Sequence, residues 1–264
     1  MTKAYPINPH AALILEYIDK RENKKKIFIV VSDLHLGFES SLIQKGINID
    51  SNQIVNDILE EINEIRKSQR IDGIIILGDL KSSITHITKI EWNIVPYFLD
   101  KLSKDLDVFL IPGNHDGNID LLVPESVVTC NTSGLIIDDT LLIHGHTLPN
   151  KIKSNINKII MGHLHPIFID PKSTVHGKRV WIYLKVKKEI LYGLQKNGIL
   201  EIIIIPTFNK YFYSTLVSTH KFKNSTSSPS PIINLFLEQN AILSGMLFTL
   251  EGSVIGDVKT EKFH

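Results

Sequence analysis

The 264 residues contain a single cysteine, Cys130, so no disulfide can form within the chain and no cysteine-rich zinc site can be built. Nothing asks for an oxidising compartment, and the opening MTKAYPINPH lacks the basic-then-apolar pattern of a secretion signal. No apolar run approaches the ~20 residues that span a bilayer, so a cytoplasmic setting without a membrane is expected. A dominant charge is missing too: 29 Lys and Arg against 28 Asp and Glu leave a formal net charge of +1, too weak a field to steer a large charged partner. Any basic surface must therefore be local. Lys151, Lys153 and Lys158 form one such segment, and Lys178, Arg179, Lys185, Lys187 and Lys188 form another; the ordinary reading of both is solvated surface.

What is present is a globular composition, 43% hydrophobic and 22% charged, long enough to bury a full core. The first half repeats one theme. Short β-branched runs at 27–31, 74–77 and 108–111 each end in a polar cluster, as buried strands feeding loops do. Between the first two, Ile54, Ile58, Ile62 and Ile65 recur at helical spacing, which predicts a surface helix over 52–67. A second helix is expected over 91–104, with Pro96 as a kink or a late start. Strand and helix in alternation imply parallel pairing, with ligands gathered where strand ends meet loops. From about 127 the pattern changes to strands with turns, at 127–129, 135–137, 141–143, 158–161, 180–186 and 200–205, which predicts a second, more antiparallel sheet. Residues 221–231 read as a loop and 242–258 as a hairpin about Gly252, while the basic run 20–26 would link a short N-terminal helix to the first strand. The expected organisation is one α/β domain over 1–264, a two-sheet sandwich flanked by helices, with a core at 26–208 and C-terminal strands and loop at 209–264.

Five polar clusters stand at strand ends: Asp33-Leu34-His35, Gly78-Asp79, Gly113-Asn114-His115-Asp116, His144-Gly145-His146 and Gly162-His163-Leu164-His165. Six of the 11 histidines fall in them, a concentration that chance loops do not produce. Taken singly, each cluster has an ordinary explanation as a turn or surface loop; five in order, each after an apolar run, point to one site. An Asp and a His, or two His, separated by one residue on a strand face the same side and can address one ion. Mixed oxygen and nitrogen donors suit manganese, iron or zinc more than magnesium. A glycine before Asp79, Asn114 and His163 lets the backbone turn sharply. Asp116 can orient His115 or cap the segment that follows it.

In that order the clusters resemble the signature of the calcineurin-like metallophosphoesterase superfamily: Asp-x-His, Gly-Asp, Gly-Asn-His-(Asp/Glu), His and Gly-His-x-His. The surrounding SDLHLGFE, GDLK, PGNHDGN, LLIHGH, MGHLHP, RVWIYLK and IIPTFN are similar to the SbcD-related and ligase-associated phosphoesterases. The resemblance implies two divalent cations, manganese by preference with iron, zinc or nickel as alternatives. Asp33, His35, Asp79 and His165 would hold the first, and Asp79, Asn114, His144 and His163 the second, with Asp79 bridging. His115 would act beside the scissile phosphate; His146 and Lys81 would lie around the substrate. It further implies a phosphodiesterase or nuclease acting on DNA or RNA, with a DNA-repair helicase or ligase as partner. Hydrolysis of small nucleotides or other phosphoesters is the enzymatic alternative, and a metal-binding protein-interaction module, as in the retromer subunit of this fold, is the alternative of another class. Two departures stand out. Relatives carry a histidine directly after Gly-Asp-x-Lys, whereas Lys81 is followed by Ser82 and Ser83; and NKYFYSTLVS, expected as a second-sheet segment, lacks glycine.

Overall fold

A computed structural model describes the chain except residues 44, 48, 150–154, 193–197, 220–227 and 258–264. Lys151, Lys153, most of the expected loop at 221–231 and the last residue of the expected hairpin lie outside the described residues. The elements run β1 Lys3–Pro6, β2 Leu13–Asp19, β3 Lys24–Val31, α1 Glu39–Ile43, α2 Ser51–Ser68, β4 Gly73–Ile76, α3 Lys89–Ser103, β5 Asp107–Leu110, β6 Val127–Thr129, β7 Leu135–Ile137, β8 Thr140–Ile143, β9 Lys158–Met161, β10 Val180–Lys187, α4 Glu189–Tyr192, β11 Ile199–Ile204, α5 Lys210–Thr219, α6 Pro231–Glu238, β12 Ile242–Thr249 and β13 Val254–Asp257.

The first sheet has the order β1-β2-β3-β4-β5-β6 and the second β13-β12-β10-β11-β9-β8-β7. Within the first, β3, β4, β5 and β6 are parallel. The helices that follow β3 and β4, α2 and α3, pack against each other on one face of it, as crossovers of one hand require. Ile54, Val55, Ile58, Ile62 and Ile65 of α2 and Ile94, Val95, Phe98, Leu99 and Leu102 of α3 are buried there. Alternation along the second sheet divides its side chains between two clusters. Leu142, Ile160, Trp181, Ile203 and Ile205 join the core against the first sheet. Leu141, Ile143, Ile159, Met161, Ile202 and Ile204 face outward, where Ile232, Ile233 and Phe236 of α6 cover them. The layers are thus helices, sheet, sheet, helix, the expected two-sheet sandwich. No helix among the described residues is long and apolar enough to cross a membrane.

Three expectations are corrected. The N-terminus forms strands, not a helix: β2 pairs antiparallel with β3 over Leu13 to Asp19, so the basic run turns and enters β3. Residues 127–129 belong to the first sheet, parallel to β5, because the short segment after β5 returns the chain to the same side. The second sheet is the more antiparallel of the two, as expected, although β8, β9 and β11 run parallel within it. Residues after Phe208 are helical: Asn209 accepts from the backbone of Tyr211 and Phe212 at 3.0 and 3.1 Å, a side-chain cap that starts α5. Pro96 lies inside α3, whose start is set by a capping box between Thr88 and Glu91.

Candidate metal centre

All five clusters lie at the carboxyl ends of β3, β4, β5, β8 and β9, and parallel pairing brings those ends together. The loops after β3 and β4 continue side by side: the amides of Asp33, His35 and Leu36 donate to the carbonyls of Gly78, Asp79 and Leu80 at 3.1, 2.8 and 2.8 Å. The two sheets meet where the His163 amide donates to Asp33 Oδ2 at 3.1 Å. The paired side chains converge for a reason other than strand alternation. Asp33, His35, His163 and His165 follow their strands, at φ of 58, 44, 71 and 44°, and Asp79 is at 50°. Left-handed backbone is costly for residues with a Cβ, and Asp and His are among those that tolerate it. Five of the nine non-glycine residues with positive φ among the described residues are these site residues, so strain is concentrated where the donors meet. Of the three glycines expected to supply turns, Gly78 has φ +74°; Gly113 and Gly162 serve close approach, since a Cβ on them would fall 2.2 Å from Asp79 Oδ1 and 1.7 Å from Ser32 Oγ.

One group comprises Asp33, His35, Asp79 and His165, with donor atoms all within 4.8 Å of one another. His35 Nε2 lies 3.1 Å from His165 Nε2 and 3.6 Å from Asp79 Oδ2. His165 Nε2 is 3.2 Å from Asp33 Oδ1. Two imidazole lone pairs do not approach so closely without a proton or a cation between them. The spacing is close to the ~3.3 Å edge of a tetrahedron whose corners stand ~2.0 Å from its centre, the zinc to nitrogen distance. Burial, with His165 adding to it, pushes His35 down to about 3, so that its lone pair is available. Phe212 of α5 stacks on the His35 ring at 3.9 Å, shielding that side.

The second group comprises Asp79, His144 and His163, with Asp79 common to both. His144 Nδ1 donates to the Leu77 carbonyl at 2.7 Å. That bond directs Nε2 to Asp79 Oδ1 at 3.4 Å and Asn114 Oδ1 at 3.2 Å, the arrangement that orients a ligating histidine. Burial would lower His144, but the bond to Asp79 and the charges of Asp79 and Asp33 outweigh it and raise the group to about 9. Against the burial that would raise them, His144 holds Asp79 below the usual carboxylate range, and His165 and His144 do the same for Asp33. Burial and His144 push His163 down to about 4. The donor set fits two divalent cations.

His115 stands at the mouth. Its amide donates to Asp79 Oδ1 at 2.9 Å and its Nε2 lies 3.9 Å from Asp79 Oδ2. Its Nδ1 bonds to the Ser82 carbonyl, and because a carbonyl only accepts, Nδ1 carries the proton. Asp116 is buried and accepts from the Gly113 and Lys81 amides at 2.8 and 3.1 Å, tying the loops after β5 and β4 together. Lys81 is buried; its ammonium donates to the carbonyls of His115, at 2.5 Å, and Ser83. His146 is half-buried beside His144, ring centres 5.2 Å apart. The sequence reading passed over Glu91, although Thr88-x-x-Glu91 is a legible capping box, and over Phe212, Leu77 and Ser82, which carry no signal of their own. Three described lysines of the expected basic segments lie away from the site. Lys185 and Lys187 end β10 opposite Glu201 and Ile199 of β11, and Lys158 starts β9, so all three stand at the strand ends away from the site. Arg179 is engaged with the carbonyls of Thr207 and Phe208 at 2.8 and 2.9 Å.

Comparison with known proteins gives a family and a set of folds. The family model described as calcineurin-like phosphoesterase matches residues 27–193. Among solved structures, the nuclease MPE of Pseudomonas putida is similar at 16% identity and a TM-score of 0.50, covering 95% of this chain and 98% of that one. The phosphoesterase Yfce from E. coli is similar at 15% identity and a TM-score of 0.39, covering 88% of this chain and 97% of that one. At 16% identity the likeness to the nuclease is one of fold alone. No curated protein matches.

Proposed function

This chain belongs to the calcineurin-like phosphoesterase family, and from that premise we propose that it is a phosphodiesterase working with two divalent cations, manganese by preference, on the ends or single strands of DNA or RNA in the cytoplasm. The observation that carries the reading is Asp79, buried and common to two converging donor groups, with His115 beside it. When bound, two cations activate a water and neutralise the phosphoryl oxygens of an in-line displacement. The rest falls to the protein. Asp33, His35, Asp79 and His165 would hold one ion, and Asp79, Asn114, His144 and His163 the other. The Leu77 carbonyl keeps His144 Nε2 turned inward. His115, with Nδ1–H committed to Ser82, turns Nε2 to the phosphate, where, once Nε2 also carries a proton, it can stabilise charge on the departing oxygen or give that proton up. His146 is the further group in reach of a substrate oxygen.

The nucleic-acid substrate rests on similarity to the SbcD-related group. A second reading, a small nucleotide or other phosphoester, is favoured by the position of Lys158, Lys185 and Lys187 at the far strand ends. The test is hydrolysis of bis(p-nitrophenyl) phosphate by metal-stripped protein re-supplied with manganese, followed by a single-stranded oligonucleotide and a mononucleotide ester. Cleavage by wild type and none by Asp79→Ala is the expected result, and the second stage separates the two substrate classes. Wild type that binds the ions and cleaves nothing would turn the reading to an interaction module.

A further inference from the structure

The Glu91 carboxylate lies in the first turn of α3, fully buried, and three amide bonds converge on it. Oε1 accepts from Ser82 at 3.0 Å and from Ser83 at 2.7 Å, while Oε2 accepts from Thr88 at 2.7 Å. The Thr88 bond closes the capping box of the helix. The Ser82 and Ser83 bonds do something the cap does not require: they hold the turn after Lys81 from outside. The same Ser82 amide also donates to Leu36 at 3.0 Å, so the turn is pinned between the loop after β3 and the helix. Its carbonyls are then committed. Ser82 accepts from His115 Nδ1, and Ser83, together with the His115 carbonyl, accepts from the buried Lys81 ammonium.

We propose that Glu91 is a positioning residue for His115, acting through the Ser82–Ser83 turn to fix the tautomer and direction of the imidazole. The inference deepens the phosphodiesterase reading and rests on it for its kinetic consequence, but the geometry stands on its own. A carboxylate accepting two consecutive amides leaves the Ser82 carbonyl pointing the other way, toward His115. The proton is thereby kept on Nδ1, and Nε2 faces the side of Asp79. The close fit of Glu91 is visible at Gly37, where a Cβ would come 2.5 Å from Glu91 Cγ; Gly37 lets the loop after β3 lie directly on this side chain. The chain of contacts connects the helix covering the sheet to the residue beside the phosphate without passing through any cation donor.

Three variants separate this role from the cap. Glu91→Ala removes both; Thr88→Ala weakens the cap and leaves the Ser82 and Ser83 bonds; Glu91→Gln keeps an acceptor oxygen for the turn. With manganese and bis(p-nitrophenyl) phosphate, Glu91→Ala is expected to lower kcat by ~10- to 100-fold, the usual cost of losing an orienting partner, with KM and metal content little changed. Thr88→Ala is expected to lower Tm and leave kcat within about twofold, and Glu91→Gln to recover most of the lost turnover. Equal kcat losses in Glu91→Ala and Thr88→Ala, or none in Glu91→Ala, would overturn the proposal. A second readout does not depend on turnover. In 15N-labelled protein supplied with zinc, which is diamagnetic, His115 signals, assigned by their loss in His115→Gln, are expected to show the Nδ1-protonated form in wild type and a mixture in Glu91→Ala. An unchanged tautomer would also overturn it. An inert wild type with the expected tautomer shift would count against the phosphodiesterase reading alone.

Discussion

Stripped of metal, this protein is expected to lose stability as the pH rises from about 6.5 to about 9, and the cause is one residue. His144 is fully buried and raised from 6.5 to about 9 by the Asp79 carboxylate and its neighbours. Between those values the folded chain keeps a proton on His144 that the unfolded chain has released. The stabilisation is therefore fully present below 6.5 and disappears as pH rises through the folded value. A shift of that size corresponds to about 3 kcal/mol, with a slope of about 1.4 kcal/mol per pH unit across the window. His35, lowered to about 3, and His163, lowered to about 4, have the opposite sign. They take up protons only in the unfolded chain as pH falls below 6.5, so they act on the acid side and place the maximum near neutrality. Urea denaturation of chelator-treated protein at about pH 6.5, 7.5 and 8.5 measures the alkaline limb, with a loss of about 2 kcal/mol expected over that interval. Asp79→Asn removes the carboxylate, leaves burial as the main influence on His144, and is expected to flatten the limb. A wild-type stability that is flat or rising over the interval, or a slope that Asp79→Asn leaves intact, would refute the assignment of the proton to His144.

Other outcomes follow from single contacts. His115→Gln is expected to keep the metal content of wild type while turnover falls by ~100-fold or more, the lower range for loss of a general acid; metal analysis beside the kinetic assay checks both. Gly113→Ala puts a Cβ 2.2 Å from Asp79 Oδ1 and 2.5 Å from the Asp79 amide; overpacking of this kind costs ~1–3 kcal/mol, and loss of bound metal is expected along with lower Tm. Phe236→Ala empties a fully buried position between α6 and the second sheet and is expected to cost ~3–5 kcal/mol by chemical denaturation, with metal content retained in the folded fraction.

Much of the first sheet was legible because its signals are local. Ile54, Ile58, Ile62 and Ile65 repeat at helical spacing, and all four are buried on α2. In the second sheet, the strand expected at 158–161 coincides with β9. The N-terminal strands were missed because Leu13 to Asp19 owe their form to pairing with β3, a contact that pattern alone does not reveal. Residues 209–218 were misjudged for a related reason: aromatic residues favour strands in general, and the cap from Asn209 decides otherwise here. At the site, the order of the clusters was enough to group Asp33, His35, Asp79, Asn114, His144, His163 and His165, and they are together in the fold. The reason offered for their convergence was strand alternation, whereas left-handed backbone after the strands produces it. The basic segments were read by composition, and composition does not tell which end of a strand a lysine occupies.

Asp79 belongs to both donor groups, and two cations are expected to share it. Titration of metal-stripped protein with manganese, followed by electron paramagnetic resonance, tests it without reference to any substrate. An exchange-coupled manganese pair is expected, growing to completion at two equivalents per chain and lost in Asp79→Ala. Isolated manganese signals at one equivalent, or a coupled pair that survives removal of Asp79, would contradict it.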